Sequence, residues 1–209
     1  MSTTFDFGSG PVPAHRHPNG GGWVADTARV DDSAYIGPAA WVYGDARVSG
    51  DARVFGDARV FGDAWVSGDA RVSGDAWVSG DARVSGDALV YGNAWVYGDA
   101  RVSGDARVFG DAWVFGNAQV YGDAQVYGDA QVYGNATIAK SSDYLLIGPI
   151  GSRADFMTWT RSDNCIATGC FRGTIEEFLA AVRETHGDNE HAKAYRAAMN
   201  FIRAMEKLA

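Results

Sequence analysis

Two cysteines and two histidines near the C-terminal end have a spacing that could bind zinc. Four residues separate Cys165 from Cys170, fifteen residues follow, and four residues separate His186 from His191. Cysteine and histidine pairs at such intervals occur in structural zinc sites. However, a strand predicted over both cysteines would direct them to opposite faces, because they are five residues apart. We therefore expect no metal and no other cofactor, with structural zinc as the alternative.

A second group of residues in this part of the chain could bind a small anion. The predicted turn Gly151-Ser152-Arg153 offers backbone N–H groups and a guanidinium, and a tryptophan nearby could stack on a base. Such groups suit a phosphate or a nucleotide. The alternative is that they are ordinary surface and turn residues. The candidate ligand-binding residues are Ser152, Arg153, Thr158, Trp159, Thr160, Arg161 and Arg172.

A small α+β domain at residues 140–209 is predicted to position both groups. Alternating and apolar segments predict three strands, and a Thr-Ile-Glu-Glu capping box at residue 174 predicts the start of a helix. That helix should end near Gly187, and a second amphipathic helix should follow from about Asn189. The strands are predicted at 144–150, 155–161 and 165–171.

Residues 22–139 repeat a six-residue phrase. A branched aliphatic residue occupies every sixth position from Val24 to Ile138, and an alanine lies two places before each from Ala28 onward. The turns between them read Gly-Asp or Gly-Asn from Gly44 to Asn135. This period predicts a chain wound around a triangular prism, with one short strand per side and three hexads per coil. Residues 1–21 precede it as an irregular cap segment.

The repeat resembles the hexapeptide-repeat superfamily. That resemblance implies an all-β solenoid, a left-handed parallel β-helix of between six and seven coils, followed here by the α+β domain. Many relatives are trimeric acyltransferases, and others are zinc-dependent carbonic anhydrases. The Gly-Gly-Gly entry at residues 20–22 and the tail also resemble uncharacterised phage and prophage proteins of this type.

The residues used by those enzymes are missing from the repeats. The four histidines are at positions 15, 17, 186 and 191, so none lies between residues 22 and 139, and no hexad is interrupted by a loop. We therefore expect no enzymatic activity. An acyltransferase whose base comes from a terminal segment is the fallback, and a structural phage fibre or adhesin segment is a further alternative.

One side of the prism collects aromatic residues, because hexads eighteen residues apart share a side. Ten large rings on one flat surface exceed the apolar patch that a soluble monomer usually exposes. We therefore expect this side to be the interface of a homotrimer, with a platform for glycans or another ligand as the alternative. Its residues are Trp23, Trp41, Tyr43, Phe61, Trp77, Trp95, Tyr97, Trp113, Phe115 and Tyr133.

Composition limits the possible partners and compartment. The net charge of −8 comes from the repeats, where sixteen aspartates face eight arginines. An acidic coil repels a phosphate backbone, so nucleic-acid polymers are not expected partners. No apolar run typical of secretion or of a membrane span is present, and two cysteines are too few for a disulfide framework. These features predict a soluble cytoplasmic protein, in the host cytoplasm if it is phage-encoded.

Taken together, the sequence predicts a non-enzymatic trimeric β-helix that serves as a rigid column. Its C-terminal domain, or the junction between copies, should capture a small anionic, nucleotide-like ligand. Combined with the phage resemblance, this suggests a protein that sequesters a host defence signal.

Overall fold

The computed structural model describes residues 3–206 and has three parts. A β-hairpin at the N-terminus leads into a parallel β-solenoid, and a small domain with an antiparallel sheet and two helices follows. The predicted fold class is therefore confirmed, with about six turns of solenoid. The hairpin consists of β1 (Thr4–Asp6) and β2 (Pro11–Arg16).

The solenoid is built from twenty short strands, one for each hexad. Each strand except the last three pairs in parallel with the strand eighteen residues further on, so that Trp77 lies opposite Trp95 and Val78 opposite Val96. This pairing forms three sheets, one per side of the prism. Strands β3 to β22 are Trp23–Ala25, Arg29–Val30, Tyr35–Ile36, Trp41–Val42, Arg47–Val48, Arg53–Val54, Arg59–Val60, Trp65–Val66, Arg71–Val72, Trp77–Val78, Arg83–Val84, Leu89–Val90, Trp95–Val96, Arg101–Val102, Arg107–Val108, Trp113–Val114, Gln119–Val120, Gln125–Val126, Gln131–Val132 and Thr137–Ile138.

Each position of the hexad has its own role in this geometry. From Ala34 to Ile138, the aliphatic residue and the alanine of each hexad point inward and are at most 1% exposed. The glycine turns the corner with positive φ, as at Gly98 with φ 69°. A Cβ added there would lie only 3.0 Å from the nitrogen of Gly116 in the next coil. Glycine is therefore required both for its backbone conformation and for the close approach of successive coils.

Backbone hydrogen bonds join each coil to the next. A backbone N–H of one coil donates to a carbonyl of the following coil, as from Trp77 to Ala94 at 2.9 Å and from Ser79 to Val96 at 2.9 Å. The last coil consequently has N–H groups with no further coil to receive them. An open edge of this kind invites pairing with another chain unless it is covered.

The C-terminal domain is a four-stranded antiparallel sheet packed against two helices. Its strands are β23 (Tyr144–Ile150), β24 (Asp155–Thr160), β25 (Cys165–Thr168) and β26 (Phe171–Thr174), preceded by a 3₁₀ turn at Ser141–Asp143. The single strand predicted at 165–171 is two strands, because Gly169 turns the chain with φ 52°. The helices are α1 (Ile175–His186) and α2 (Glu190–Glu206).

The predicted start and end of the first helix are confirmed. The Thr174 hydroxyl accepts a hydrogen bond from the Glu177 N–H at 3.2 Å, and the Glu177 carboxylate accepts one from the Thr174 N–H at 2.8 Å. Gly187 ends the helix with φ 57°, and its N–H donates to the carbonyl of Arg183. These reciprocal bonds satisfy backbone groups that a helix terminus would otherwise leave free.

Candidate functional site

Three of the predicted ligand-binding residues, all in β24, are buried. Trp159 is fully buried in the core of the C-terminal domain, and its indole N–H donates to the Asn164 side chain at 2.7 Å. Its ring is therefore not accessible for stacking on a ligand. Thr160 is also buried, and its hydroxyl donates to the Asp163 carboxylate at 2.6 Å.

Thr158, the third of these residues, covers the open edge of the solenoid. Its hydroxyl accepts a hydrogen bond from the backbone N–H of Gln131 at 2.8 Å. Other side-chain oxygens from the first part of the domain do the same for further N–H groups of the last coils. The pairs are Ser162 with Thr137 at 2.7 Å, Tyr144 with Tyr127 at 3.3 Å and Ser141 with Gln125 at 3.2 Å.

Two predicted arginines hold parts of the structure together. Arg172 donates to the Gln131 amide oxygen at 2.8 Å, and its guanidinium lies 5.1 Å from the ring centre of Phe115 on the solenoid. Arg161 lies 5.3 Å from the Trp159 ring and donates to the carbonyl of Met205 in α2 at 3.5 Å. The observed contacts of both guanidiniums are therefore within the protein.

Ser152 and Arg153, the remaining two residues, line a cleft of about 180 Å³. The cleft lies between the turn after β23, the turn between β25 and β26, and the two helices. Its polar and titratable side chains are Ser152, Arg153, Asp155, Thr168, Cys170, Thr185, His186 and Tyr195. The structure thus separates the seven predicted residues and leaves two of them beside an open cavity.

The cleft combines the Arg153 guanidinium and the Asp155 carboxylate with several neutral hydrogen-bonding groups. A nitrogen of Arg153 lies 4.0 Å from the Cys170 sulfur. Burial raises the pKa of the Tyr195 hydroxyl, although the nearby Arg153 partly opposes this effect. Tyr195 is therefore a neutral donor at physiological pH, and Arg153 is the group that can attract an anion.

The four residues with zinc-like spacing do not converge. Cys165 donates to the carbonyl of Asp163 at 3.4 Å, and burial raises the pKa of its thiol, which disfavours the thiolate that binds metal. Cys170 and His186 instead line the cleft. Within residues 3–206, no group of three or more His, Cys, Asp or Glu side chains is arranged to hold a metal ion.

The aromatic side of the solenoid, called here the aromatic face, consists of the ten rings predicted to form an interface. These rings are half-buried because they stack on one another. Trp77 and Trp95 are 4.8 Å apart and within 3° of parallel, and Trp95 and Trp113 are 5.2 Å apart and within 4°. The guanidinium of Arg59 lies between Trp41 and Trp77, at 4.3 and 5.1 Å from their centres.

This stacking determines what the aromatic face offers to a partner. Because neighbouring rings and Arg59 cover the ring faces, the stacked tryptophans present mainly their edges to the outside. A sugar stacks on the flat face of a ring, so the stacked tryptophans are poorly suited to the alternative role of a platform for glycans. Ring edges can still pack against an apolar surface.

The N-terminal hairpin covers one end of the aromatic face. Phe5 stacks on Trp23 at 4.4 Å, and Phe7 stacks on Tyr43 at 4.9 Å. Arg16 lies 4.2 Å from the Trp23 ring centre. The sequence predicts an irregular cap here, and the structure instead has a hairpin; the alternation of Phe5 and Phe7 is the signal that a strand can place both rings on one side.

The solenoid also matches a known repeat. Five segments fit the YdcK beta solenoid repeat, at residues 52–68, 64–80, 82–98, 100–116 and 130–142. The chain is a β-solenoid repeat protein. No curated protein matches it. The matched segments end at residue 142, so the likeness describes the column of this solenoid protein and does not extend to the cleft.

In this β-solenoid protein, the histidines lie outside the coils. No histidine occurs between residues 22 and 139. His186 lies at the end of α1 and lines the cleft. In the part of the chain that the structure describes, neither helix is long and apolar enough to cross a membrane.

Proposed function

We propose that this protein is a non-enzymatic β-solenoid scaffold whose C-terminal domain binds a small anionic ligand in the cleft beside Arg153. The observation that carries the proposal is the cleft itself, which gathers the Arg153 guanidinium, hydroxyls and a neutral tyrosine around one cavity, with the Asp155 carboxylate as its acidic group. An Arg fork can donate two parallel hydrogen bonds to a phosphate or carboxylate. The column provides a rigid support that fixes the position of the domain.

The size of the cleft restricts the ligand. A volume of about 180 Å³ is below the roughly 300–1,000 Å³ of pockets that hold drug-sized molecules. It suits a phosphate or a sugar phosphate better than an entire nucleotide. Because Trp159 is buried, any base would lie outside the cleft rather than stack on that ring.

We further propose that the solenoid assembles as a homotrimer through the part of the aromatic face that the hairpin leaves uncovered. This part runs from Phe61 to Trp113 and includes three stacked tryptophans. Large uncovered apolar patches usually mark interaction sites. Light scattering should give about three times the chain mass of 22.3 kDa, and a monodisperse monomer would contradict the trimer. Sequestration of a host signal by a phage protein stays a prediction from the resemblance.

Calorimetric titration of the full chain with inorganic phosphate and with ribose 5-phosphate tests the cleft. Binding should weaken about tenfold or more in Arg153→Gln, because a charge-assisted hydrogen bond contributes roughly 1.5–3 kcal/mol. Arg71→Gln, which removes an equal charge from an exposed position on the solenoid, is the matched control. The proposed site is wrong if neither anion binds, or if both variants bind as the wild type does.

The position of His186 in the cleft is the one observation that favours an enzyme instead. A histidine beside an open cavity could act as a general base in acyl transfer. The purified protein should be incubated with an acyl-CoA donor and candidate acceptors, with His186→Ala as the comparison. Turnover that is lost in His186→Ala would replace the binding function with acyl transfer.

A further inference from the structure

A second cavity of the C-terminal domain lies between its two helices and is rich in arginine. This groove has a volume of about 290 Å³ and is lined by Leu179, Arg183, Arg196, Met199, Asn200 and Arg203. Arg183 comes from the last turns of α1, and the other polar residues come from α2. None of the residues that line it also lines the cleft beside Arg153.

The spacing along α2 places the polar groups of the groove together. Arg196, Asn200 and Arg203 are related by steps of four and three residues, so they lie on one face of the helix. Arg196 is held in place, because it donates to the carbonyl of Gly187 at 2.8 Å and pairs with Asp188 at 2.8 Å. The end of α1 thus fixes the orientation of the Arg196 side chain.

The charges around the groove are not balanced by the residues that line it. No acidic side chain is among these residues. Within residues 3–206, Arg183 and Arg203 form no ion pair, and the Asp188 that pairs with Arg196 is 89% exposed. Arg183 and Arg203 thus carry two guanidinium charges that repel each other across one cavity, in a protein whose net charge is −8. An anion with several charges would remove this repulsion.

We propose that the groove binds a compact anion carrying two or more phosphate groups. The planar fork of arginine matches the oxygens of a phosphate, and the forks of Arg183 and Arg203 with the Asn200 amide can serve adjacent phosphates. Both terminal nitrogens of Arg196 are already engaged, so this residue adds positive charge without a free fork. Leu179 and Met199 give the groove an apolar base. A concave site between two helices favours a compact anion over an extended acidic peptide. The site is independent of the ligand proposed for the cleft.

Titration of the full chain with tripolyphosphate at low salt tests the site. We expect the groove to bind one tripolyphosphate, with an affinity that falls as salt is raised. In Arg183→Gln/Arg203→Gln the affinity should fall about a hundredfold, since each charged hydrogen-bonding partner contributes about tenfold. The matched control is Arg71→Gln/Arg101→Gln, which removes the same charge from exposed positions of the solenoid and should bind as the wild type does.

Further variants separate this site from the cleft and from simple attraction between charges. Arg153→Gln removes any contribution of the cleft, so this variant should still bind one tripolyphosphate per chain in the groove. Arg183→Lys/Arg203→Lys keeps the charge but loses the forks, so its affinity should lie between those of the wild type and the glutamine variant. Circular dichroism checks folding, and the single variant Arg183→Gln replaces the double one if the latter does not fold.

Three results would overturn the proposal. The first is no binding of tripolyphosphate by the wild type. The second is an equal loss of affinity in the groove variant and the solenoid control, which would indicate general attraction to cationic side chains. The third is tighter binding of a hepta-glutamate peptide than of tripolyphosphate, which would assign the groove to an acidic protein segment.

Discussion

The solenoid and the C-terminal domain form their hydrophobic cores in different ways. In the solenoid, one valine and one alanine per hexad repeat the same packing in every coil, and each coil contacts only its neighbours. In the C-terminal domain each core residue has its own surroundings, as where Phe178 packs edge-on against Tyr195 at 5.2 Å. The regular repeat makes a stable column, but it also fixes the spacing and direction of every outward side chain. The cleft and the arginine groove both form where the regularity ends.

The two cores are separate in space. The buried residues of the solenoid form one cluster that ends at Tyr144, and those of the domain form another around Trp159 and Ile202. Between them lie hydrogen bonds to the last coils, such as those made by Thr158 and Ser162, beside the packing of Tyr144 and Leu146 of β23 against the solenoid cluster. Polar contacts of this kind couple two regions less strongly than a shared apolar core does.

The strongest test of this comparison is a charge placed in the core of the domain alone. Ile202 is fully buried, and Ile202→Asp should cost more than about 4 kcal/mol because an unpaired carboxylate is buried. We expect the helical circular dichroism signal to be lost while the β-solenoid persists. Ala204→Asp, at an exposed position of the same helix, should be tolerated. Loss of both regions together would show that they fold as one unit.

A pair of glycine substitutions tests whether the close approach of successive coils contributes to the stability of the solenoid. Gly98 and Gly134 have nearly the same φ, 69° and 66°, but an added Cβ would meet the Gly116 nitrogen at 3.0 Å in the first case and only the Asp163 carboxylate at 3.8 Å in the second. Gly134→Ala should cost about 1–2 kcal/mol for the left-handed backbone alone. Gly98→Ala should cost at least about 1 kcal/mol more, as measured by chemical denaturation. Equal costs would mean that the spacing of the coils does not matter.

A smaller effect on stability is expected at the start of α1, where a capping box stabilises a helix of the non-repetitive domain. Thr174→Ala removes the acceptor for the Glu177 N–H and should cost about 1 kcal/mol. Thr174→Ser retains the hydroxyl and serves as the control. Chemical denaturation followed by the helical signal measures both. A Thr174→Ala variant as stable as the wild type would show that packing alone defines this helix.

The smallest predicted effect is a pH dependence at the junction of the two regions. The Tyr133 hydroxyl donates to the Ile166 carbonyl at 3.3 Å, and its pKa is raised above the ordinary 10.0, first by burial and then by Cys165 and Asp163. The folded state therefore holds this proton more tightly than the unfolded state. The associated stability is intact below about pH 10 and is lost as the pH rises through the raised value.

Denaturation at a series of pH values from 8 to about 12 measures this effect. Tyr133→Phe should lose less stability than the wild type over the alkaline part of the range, although its stability at pH 8 is lower because one hydrogen bond is missing. Tyr121→Phe changes an exposed ring and should follow the wild-type curve. Identical alkaline slopes in all three proteins would exclude a contribution from Tyr133.

The alternation in β24 shows why the candidate site was only partly predictable. The sequence correctly places Met157 and Trp159 on one side of the strand and Thr158 and Thr160 on the other. A threonine-rich side suggests exposure to solvent or to a ligand. In the structure it is buried as well, because Thr158 bonds to the last coil and Thr160 bonds to Asp163. Alternation reveals two sides but does not say what covers each one.

The sequence by itself determined the column. Each hexad contacts the hexads eighteen residues away, so one local rule repeated twenty times is enough to fix strands, corners and core. Only the tertiary structure decided how the two ends of the solenoid are covered. The hairpin covers the first rings of the aromatic face, and side-chain oxygens of the C-terminal domain cover the last N–H groups. These contacts join segments that share no period, so their partners are chosen by the shape and the unpaired polar groups of the folded chain.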